Sequence, residues 1–250
     1  MKINISKNPE QLGLHAATLS AEILNKTIAE KGNARLLLST GASQFETLKA
    51  LVKMDVDWSK VEMFHLDEYI GLPKTHPASF RKYLKERFVD HTNLKHAHYI
   101  NVEGDLEERI REISNEVKKE PIDLALVGIG ENAHIAFNDP PADFDTKEAF
   151  IIVNLDEKCK QQQVREGWFK SVDEVPKQAL TMTVHQIMQS RIIISCVPHK
   201  EKANAVKLAL ESDLTNEIPA TMLKQHPNWT LFLDEDSASL LDRELLKKYV

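Results

Sequence analysis

The chain has 250 residues and a mass of 28.5 kDa, above the usual size of one domain but within the range of one large α/β unit, so a single domain spanning residues 1–250 is expected. Hydrophobic residues make up 42% and charged residues 28%, with ten Pro and eight Gly, which supports a packed core and excludes collagen-like or extended disordered chains. A formal net charge of −6 removes the basic footprint that nonspecific nucleic-acid or acidic-membrane binding requires, yet leaves room for a small phosphorylated ligand.

No apolar run approaches the roughly 20 residues that span a bilayer. Residues Met1 to Pro9 hold no signal-peptide core, so a cytoplasmic protein is expected. Cys159 and Cys196 form neither a CxxC pair nor a Cys/His ligand set, which argues for reduced thiols and against a structural zinc.

Asn8-Pro9 reads as an N-cap followed by proline at the first helical position, and Leu12, Ala16, Leu19, Ile23, Leu24 and Ile28 keep helical spacing until Gly32. Arg35 to Leu38 is a short buried strand, followed by the loop Ser39 to Ser43 and a helix through Leu48 and Val52. Val61 to Leu66 repeats the pattern, with a loop carrying Gly71 and Pro73 and a helix from Ala78 to Phe88. A helix over 105–120 ends at Pro121, and Ile122 to Val127 is a buried strand that runs into Gly128-Ile129-Gly130. Further strands are expected at Phe150–Val153, Leu180–Val184, Arg191–Val197 and Trp229–Leu233, with helices near 156–166, 200–211 and 236–249. This alternation specifies an α/β fold, a mostly parallel sheet covered on both faces. Residues 139–148, rich in Pro and acids, read as a mobile loop.

Ligands of open α/β sheets sit beyond the carboxyl ends of the strands. Four loops there carry suggestive chemistry. In Ser39 to Ser43, hydroxyls and free N–H groups precede a helix, which suits an anion, though turn chemistry alone accounts for the same residues. Asp67-Glu68 offers paired acids or a helix cap. Gly128-x-Gly130-x-x-Ala133 imitates a dinucleotide loop, but Asn138, Pro140 and Pro141 interrupt the long helix such a loop must open, so no nucleotide cofactor is expected. His134 stands in that segment beside Asn132, Asn138 and Asp139, where an imidazole near a carboxylate serves as acid and base. The fourth loop runs from Pro198 to Lys202. No His or Cys pair has metal-ligand spacing, so no metal is expected.

Together the segments Ser39-Thr40-Gly41-Ala42-Ser43, DEYIGLP over residues 67–73, GIGENAHIAFNDP over residues 128–140, Val175 to Thr181, and Lys202 resemble the glucosamine-6-phosphate deaminase (isomerase) family in chain order. The resemblance implies a Rossmann-like, doubly wound fold without a nucleotide. It also implies conversion of glucosamine 6-phosphate and water to fructose 6-phosphate and ammonia. Asp67 would move a proton between C2 and C1, and His134 would open the pyranose ring. Thr40, Gly41, Ala42, Ser43 and Lys202 would hold the phosphate, with Arg165 near the place of the family's phosphate-binding arginine. Three departures mark this chain: Ala42 replaces a second glycine, Asn132-Ala133-His134 replaces Asp-Gly-His, and Asp139 replaces a glutamate. Asn132 and Asp139 are thus the candidate partners of His134. A related 6-phosphogluconolactonase, or a sugar-phosphate-binding protein with little turnover, are the alternatives. Some members of such families are oligomers, so a homo-oligomer is compatible with the resemblance.

Overall fold

The computed structural model describes residues 1–242. Its elements run β1 (Lys2–Ser6), α1 (Pro9–Lys31), β2 (Ala34–Leu38), α2 (Phe45–Leu51), β3 (Val61–His65), β4 (Asp67–Tyr69), α3 (Phe80–Arg87), β5 (His96–His98), α4 (Leu106–Lys118), β6 (Leu124–Leu126), β7 (Phe150–Asn154), α5 (Glu157–Arg165), β8 (Gln178–Met182), α6 (Val184–Met188), β9 (Ile192–Val197), α7 (Ala203–Glu211) and β10 (Trp229–Asp234). Local signals set the first helix: Asn8 Oδ1 accepts the Gln11 N–H, Pro9 opens the helix, and the Gly32 N–H donates to Ile28 at its end.

Seven strands form one parallel sheet in the order β1-β10-β9-β6-β2-β3-β5. Alternate side chains of β2 feed two cores. Leu36 and Leu38 pack with Leu12 and Leu24 of α1, whereas Leu37 packs with Phe64, Ala125 and Val127 on the other face. From β2 the chain builds outward through β3 and β5, then returns to the opposite side of β2 for β6 and continues to β9 and β10. The order therefore reverses between β2 and β6. Among the described residues no helix is long and apolar enough to cross a membrane.

Several elements differ from the sequence expectation. The edge strands β1 and β5 were not foreseen, because a Lys-Ile-Asn-Ile-Ser run with two buried residues and a His-Ala-His run carry little apolar pattern. The strands near Phe150 and Leu180 do not join the parallel sheet; with β4 they make a separate three-stranded antiparallel sheet in the order β4-β8-β7. The second of them ends at Met182 because Thr183 caps α6, its hydroxyl accepting the Gln186 N–H. The segment 139–148 is tied down: the Ala142 N–H donates to Asn216 O, and Asp143 Oδ1 accepts the N–H groups of Asp145 and Thr146. Of the helix expected over 236–249, residues 236–240 form turns, and the stretch from 243 lies outside the described residues.

Candidate active site

The reversal between β2 and β6 places the loops leaving those two strands side by side, the position where an open α/β sheet makes its crevice. A cleft of about 70 Å³, open to solvent, lies there. Thr40, Gly41 and Ser43 line it from the β2 side, Asp67 from the end of β3, and Gly130 and His134 from the β6 side. Gly41 has φ of +97°, so the left-handed backbone falls on the glycine, and Ala42 begins the 3-10 turn Ala42–Gln44. The alanine that replaces a second glycine therefore carries no left-handed strain. Ser39 Oγ is buried without a hydrogen-bond partner among the described residues.

The Asp67-Glu68 pair divides its labour. Glu68 is fully buried and accepts from the Tyr69, Phe80 and Arg81 N–H groups, from Ser79 Oγ and from Arg81 Nε, so it is a structural anchor for the start of α3. The Asp67 carboxyl, also buried, has no hydrogen-bond donor among the described residues and faces the cleft. Burial, with the Glu68 carboxylate beside it, raises its pKa well above the ordinary carboxylate range. His65 fixes its backbone. Burial pushes the His65 pKa down to about 3, so the neutral ring takes the Ile100 N–H at Nε2 (2.8 Å) and donates from Nδ1 to Asp67 O (3.0 Å).

His134 is carried by a loop locked to both sheets. Asn138 Nδ2 donates to Ile135 O and Met182 O, and the Phe137 N–H donates to Thr181 Oγ1, which explains the HIAFN run as framework. A Cβ on Gly130 would fall 2.2 Å from His134 Nε2, so only glycine lets the ring lie there. His134 Nδ1 approaches Asp139 Oδ1 to 2.9 Å without meeting the geometry of a hydrogen bond. Asn132 braces the same oxygen: its Nδ2 donates to Asp139 Oδ1 at 3.1 Å and its Oδ1 accepts the His134 N–H. Burial pushes Asp139 up, but the contacts from His134 and Asn132 outweigh it and leave the carboxyl below its ordinary pKa. The shorter Asp139 thus reaches the imidazole, and Asn132 orients Asp139.

Lys202 closes the turn Lys200–Lys202 before α7. It is 6% exposed, and burial lowers its pKa against the pull of Glu166 and Glu131. Arg165 does not reach the cleft: it is more than half exposed and pairs with Glu131 outside it. Sequence reasoning missed the α5 side of the cleft, where Gln162, Gln163 and Glu166 supply polar lining. Glu166 follows Gln163 by three and Gln162 by four residues, the spacing that brings side chains onto one helix face. His134, Asp139 and Cys159 bring possible metal-ligating atoms within 4.8 Å, but burial raises the Cys159 thiol far from the thiolate a metal takes. Glu62, His98 and Glu116 form a second such group, with Lys95 on Glu62 and Lys119 on Glu116.

The family model described as glucosamine-6-phosphate isomerases/6-phosphogluconolactonase matches residues 7–232. A glucosamine-6-phosphate deaminase of Thermoanaerobacter pseudethanolicus is 39% identical, covering 99% of this chain and 98% of the relative. The Streptococcus uberis deaminase is 35% identical over 97% of this chain and 100% of its own. A solved structure of a monomeric glucosamine-6-phosphate deaminase superposes with a TM-score of 0.89 at 32% identity, covering 96% of this chain and all of that one. A Neisseria gonorrhoeae structure described as a putative 6-phosphogluconolactonase shares the fold at a TM-score of 0.76 and 18% identity, covering 94% of this chain and all of that one. With its reversed strand order, its cleft at the reversal and these full-length relatives, the chain belongs to the glucosamine-6-phosphate isomerase/6-phosphogluconolactonase family.

Proposed function

We propose that the cleft converts glucosamine 6-phosphate and water to fructose 6-phosphate and ammonia. The observation that carries the reading is the Asp67 carboxyl, buried, free of donors and facing the same cleft as the His134–Asp139 pair and the Ser39 to Ser43 loop. His134, with its imidazolium form held by Asp139, passes a proton to the ring oxygen as the pyranose opens. Ionised Asp67 then takes the proton from C2 of the amino aldehyde and returns it to C1. As O1 gains a proton and the C2 amine loses one in the same shift, the product is an imine at C2, which water hydrolyses to the ketone with release of ammonia. A base of ordinary pKa would be a weak proton acceptor here; the upward shift of Asp67 moves it toward the working pH.

Thr40, Gly41, Ala42, Ser43 and Lys202 form the phosphate end of this reading, and Arg165 has no part in it. The close full-length deaminase relatives favour the deaminase over the lactonase, whose likeness is one of fold. Residues 1–250 act as one catalytic unit. They act as a monomer, like the relative described as monomeric. Ammonia and fructose 6-phosphate appearing together from glucosamine 6-phosphate test the reading. Asp67→Asn is expected to cut turnover by about 10²–10⁴-fold, the worth of a positioned base. Near-normal turnover in that variant ends the catalytic assignment; lactone hydrolysis alone, or binding without product, replaces it with one of the alternatives.

A further inference from the structure

Glu166 brings a carboxylate to the end of the cleft where the phosphate is expected. Its Oε1 accepts from Gln162 Nε2 at 2.7 Å and its Oε2 from Trp168 Nε1 at 3.1 Å. Both donors are themselves fixed. Gln162 Oε1 accepts the Glu131 N–H, and Trp168 packs edge-on against Phe45 and Tyr83. Tyr83 in turn donates its hydroxyl to Gly41 O. The result is that Glu166 Oε2 stands 3.9 Å from where a side chain on Gly41 would begin. The ammonium of Lys202, the buried cation of this region, makes no hydrogen bond or ion pair among the described residues, and Glu166 is the strongest opposite charge acting on it. One ammonium and one carboxylate give this end a charge near zero, whereas a phosphate dianion would bring two negative charges against a fixed third.

A phosphate monoester loses its last proton near pH 6, and its monoanion still carries a P–O–H donor. We propose that Glu166 is a specificity-determining residue that makes the cleft take its sugar phosphate as the monoanion, the P–O–H donating to the Glu166 carboxylate while Lys202 and the Gly41 loop hold the other oxygens. The proposal rests on the sugar-phosphate reading of the cleft. The other titratable groups felt around Glu166 are Lys202 from the turn before α7, Tyr69 of β4, Tyr83 of α3 and Cys159 of α5. Glu131 and Glu201 also act on Lys202. Burial raises both tyrosines and the cysteine, so they stay neutral across the physiological range. His134 and Asp67 share the cleft and are present in both wild type and a Glu166 variant, so they drop out of the comparison between the two.

The test is direct binding of glucitol 6-phosphate, an open-chain sugar phosphate that cannot isomerise, by calorimetry from pH 5.5 to 8.5 with wild type and Glu166→Gln. The glutamine keeps an oxygen to accept from Gln162 or Trp168, and an unchanged melting curve certifies the fold. If only the monoanion binds, wild-type Kd rises about tenfold per pH unit above pH 6, following the shrinking competent fraction. Glu166→Gln is expected to flatten that rise and to bind at least about tenfold tighter at pH 8. Parallel curves, weaker binding by the variant, or no binding by either protein overturns the proposal. Because this readout needs no turnover, ammonia release from glucosamine 6-phosphate judges the deaminase reading separately.

Discussion

Asp67 and Glu68 are neighbours with opposite environments, and the difference has a measurable sign. Glu68 is saturated with donors, while Asp67 has none among the described residues and is pushed up in pKa by burial and by Glu68. Between the ordinary carboxylate pKa near 4 and its raised folded value, Asp67 binds its proton more tightly in the native than in the unfolded state. Its contribution to stability therefore falls as pH rises through that window. Asp67→Asn removes the penalty, so the inactive variant should melt higher than wild type at neutral pH, with the gain vanishing below about pH 4. Thermal melts at pH 3.5 and 7.5 check it, and an equal or lower melting temperature at pH 7.5 contradicts the assignment. Asn132 behaves differently. A carboxylate there would lose the donor to Asp139 Oδ1 and set a like charge about 3 Å away, near Asp156 Oδ2 as well. Asn132→Asp is expected to cost about 1–3 kcal/mol and to slow turnover. Repulsion raises the pKa of the new pair, so the loss should be larger at pH 8 than at pH 5. A gain in rate would show that the imidazole lacks a partner, against the contact already made by Asp139. Asp139 as that partner was legible only as a neighbour in the motif; that Asn132 braces the carboxylate instead of replacing it needed the fold.

At the scale of elements, the alternating apolar segments from β2 to β10 were legible because strands buried on both faces are continuous apolar runs and helices keep their 3.6-residue period. The edge strands were not, since an edge has one partner and needs little apolar content, and the small antiparallel sheet was not, since alternation does not reveal which strand a segment pairs with. The junction of β9 with α7 shows how a short segment can be set against its own preference. His199 has φ +80° and ψ +148°, a region that only glycine occupies without strain, while its N–H donates to Asp234 Oδ2. That turn delivers Lys202 to its buried place. His199→Gly loses no buried side chain, because His199 is exposed, and should stabilise the protein by about 1 kcal/mol after the entropy of the glycine is subtracted. Urea unfolding measures this; no gain would mean that the surrounding contacts favour the histidine conformer.

At the scale of the whole molecule, the monomer reading predicts elution in size-exclusion chromatography near 28.5 kDa at micromolar concentration, and a stable species at twice that mass would refute it. Leu66 hydrogen-bonds to both sheets of that molecule. The Leu66 N–H donates to Leu38 O in the parallel sheet, and the Leu66 carbonyl accepts the Met182 N–H in the antiparallel one. Asp67 follows directly on the antiparallel side, whereas the Ser39 to Ser43 loop follows Leu38 on the parallel side. A sugar phosphate that touches both the base and the loop bridges the two sheets on either side of Leu66, so its fit reports how the sheets are set against each other. The width of the reaction site is then a property of how the sheets meet, and a substitution that shifts Met182, whose N–H holds the Leu66 carbonyl from outside the cleft lining, gains a route to the chemistry.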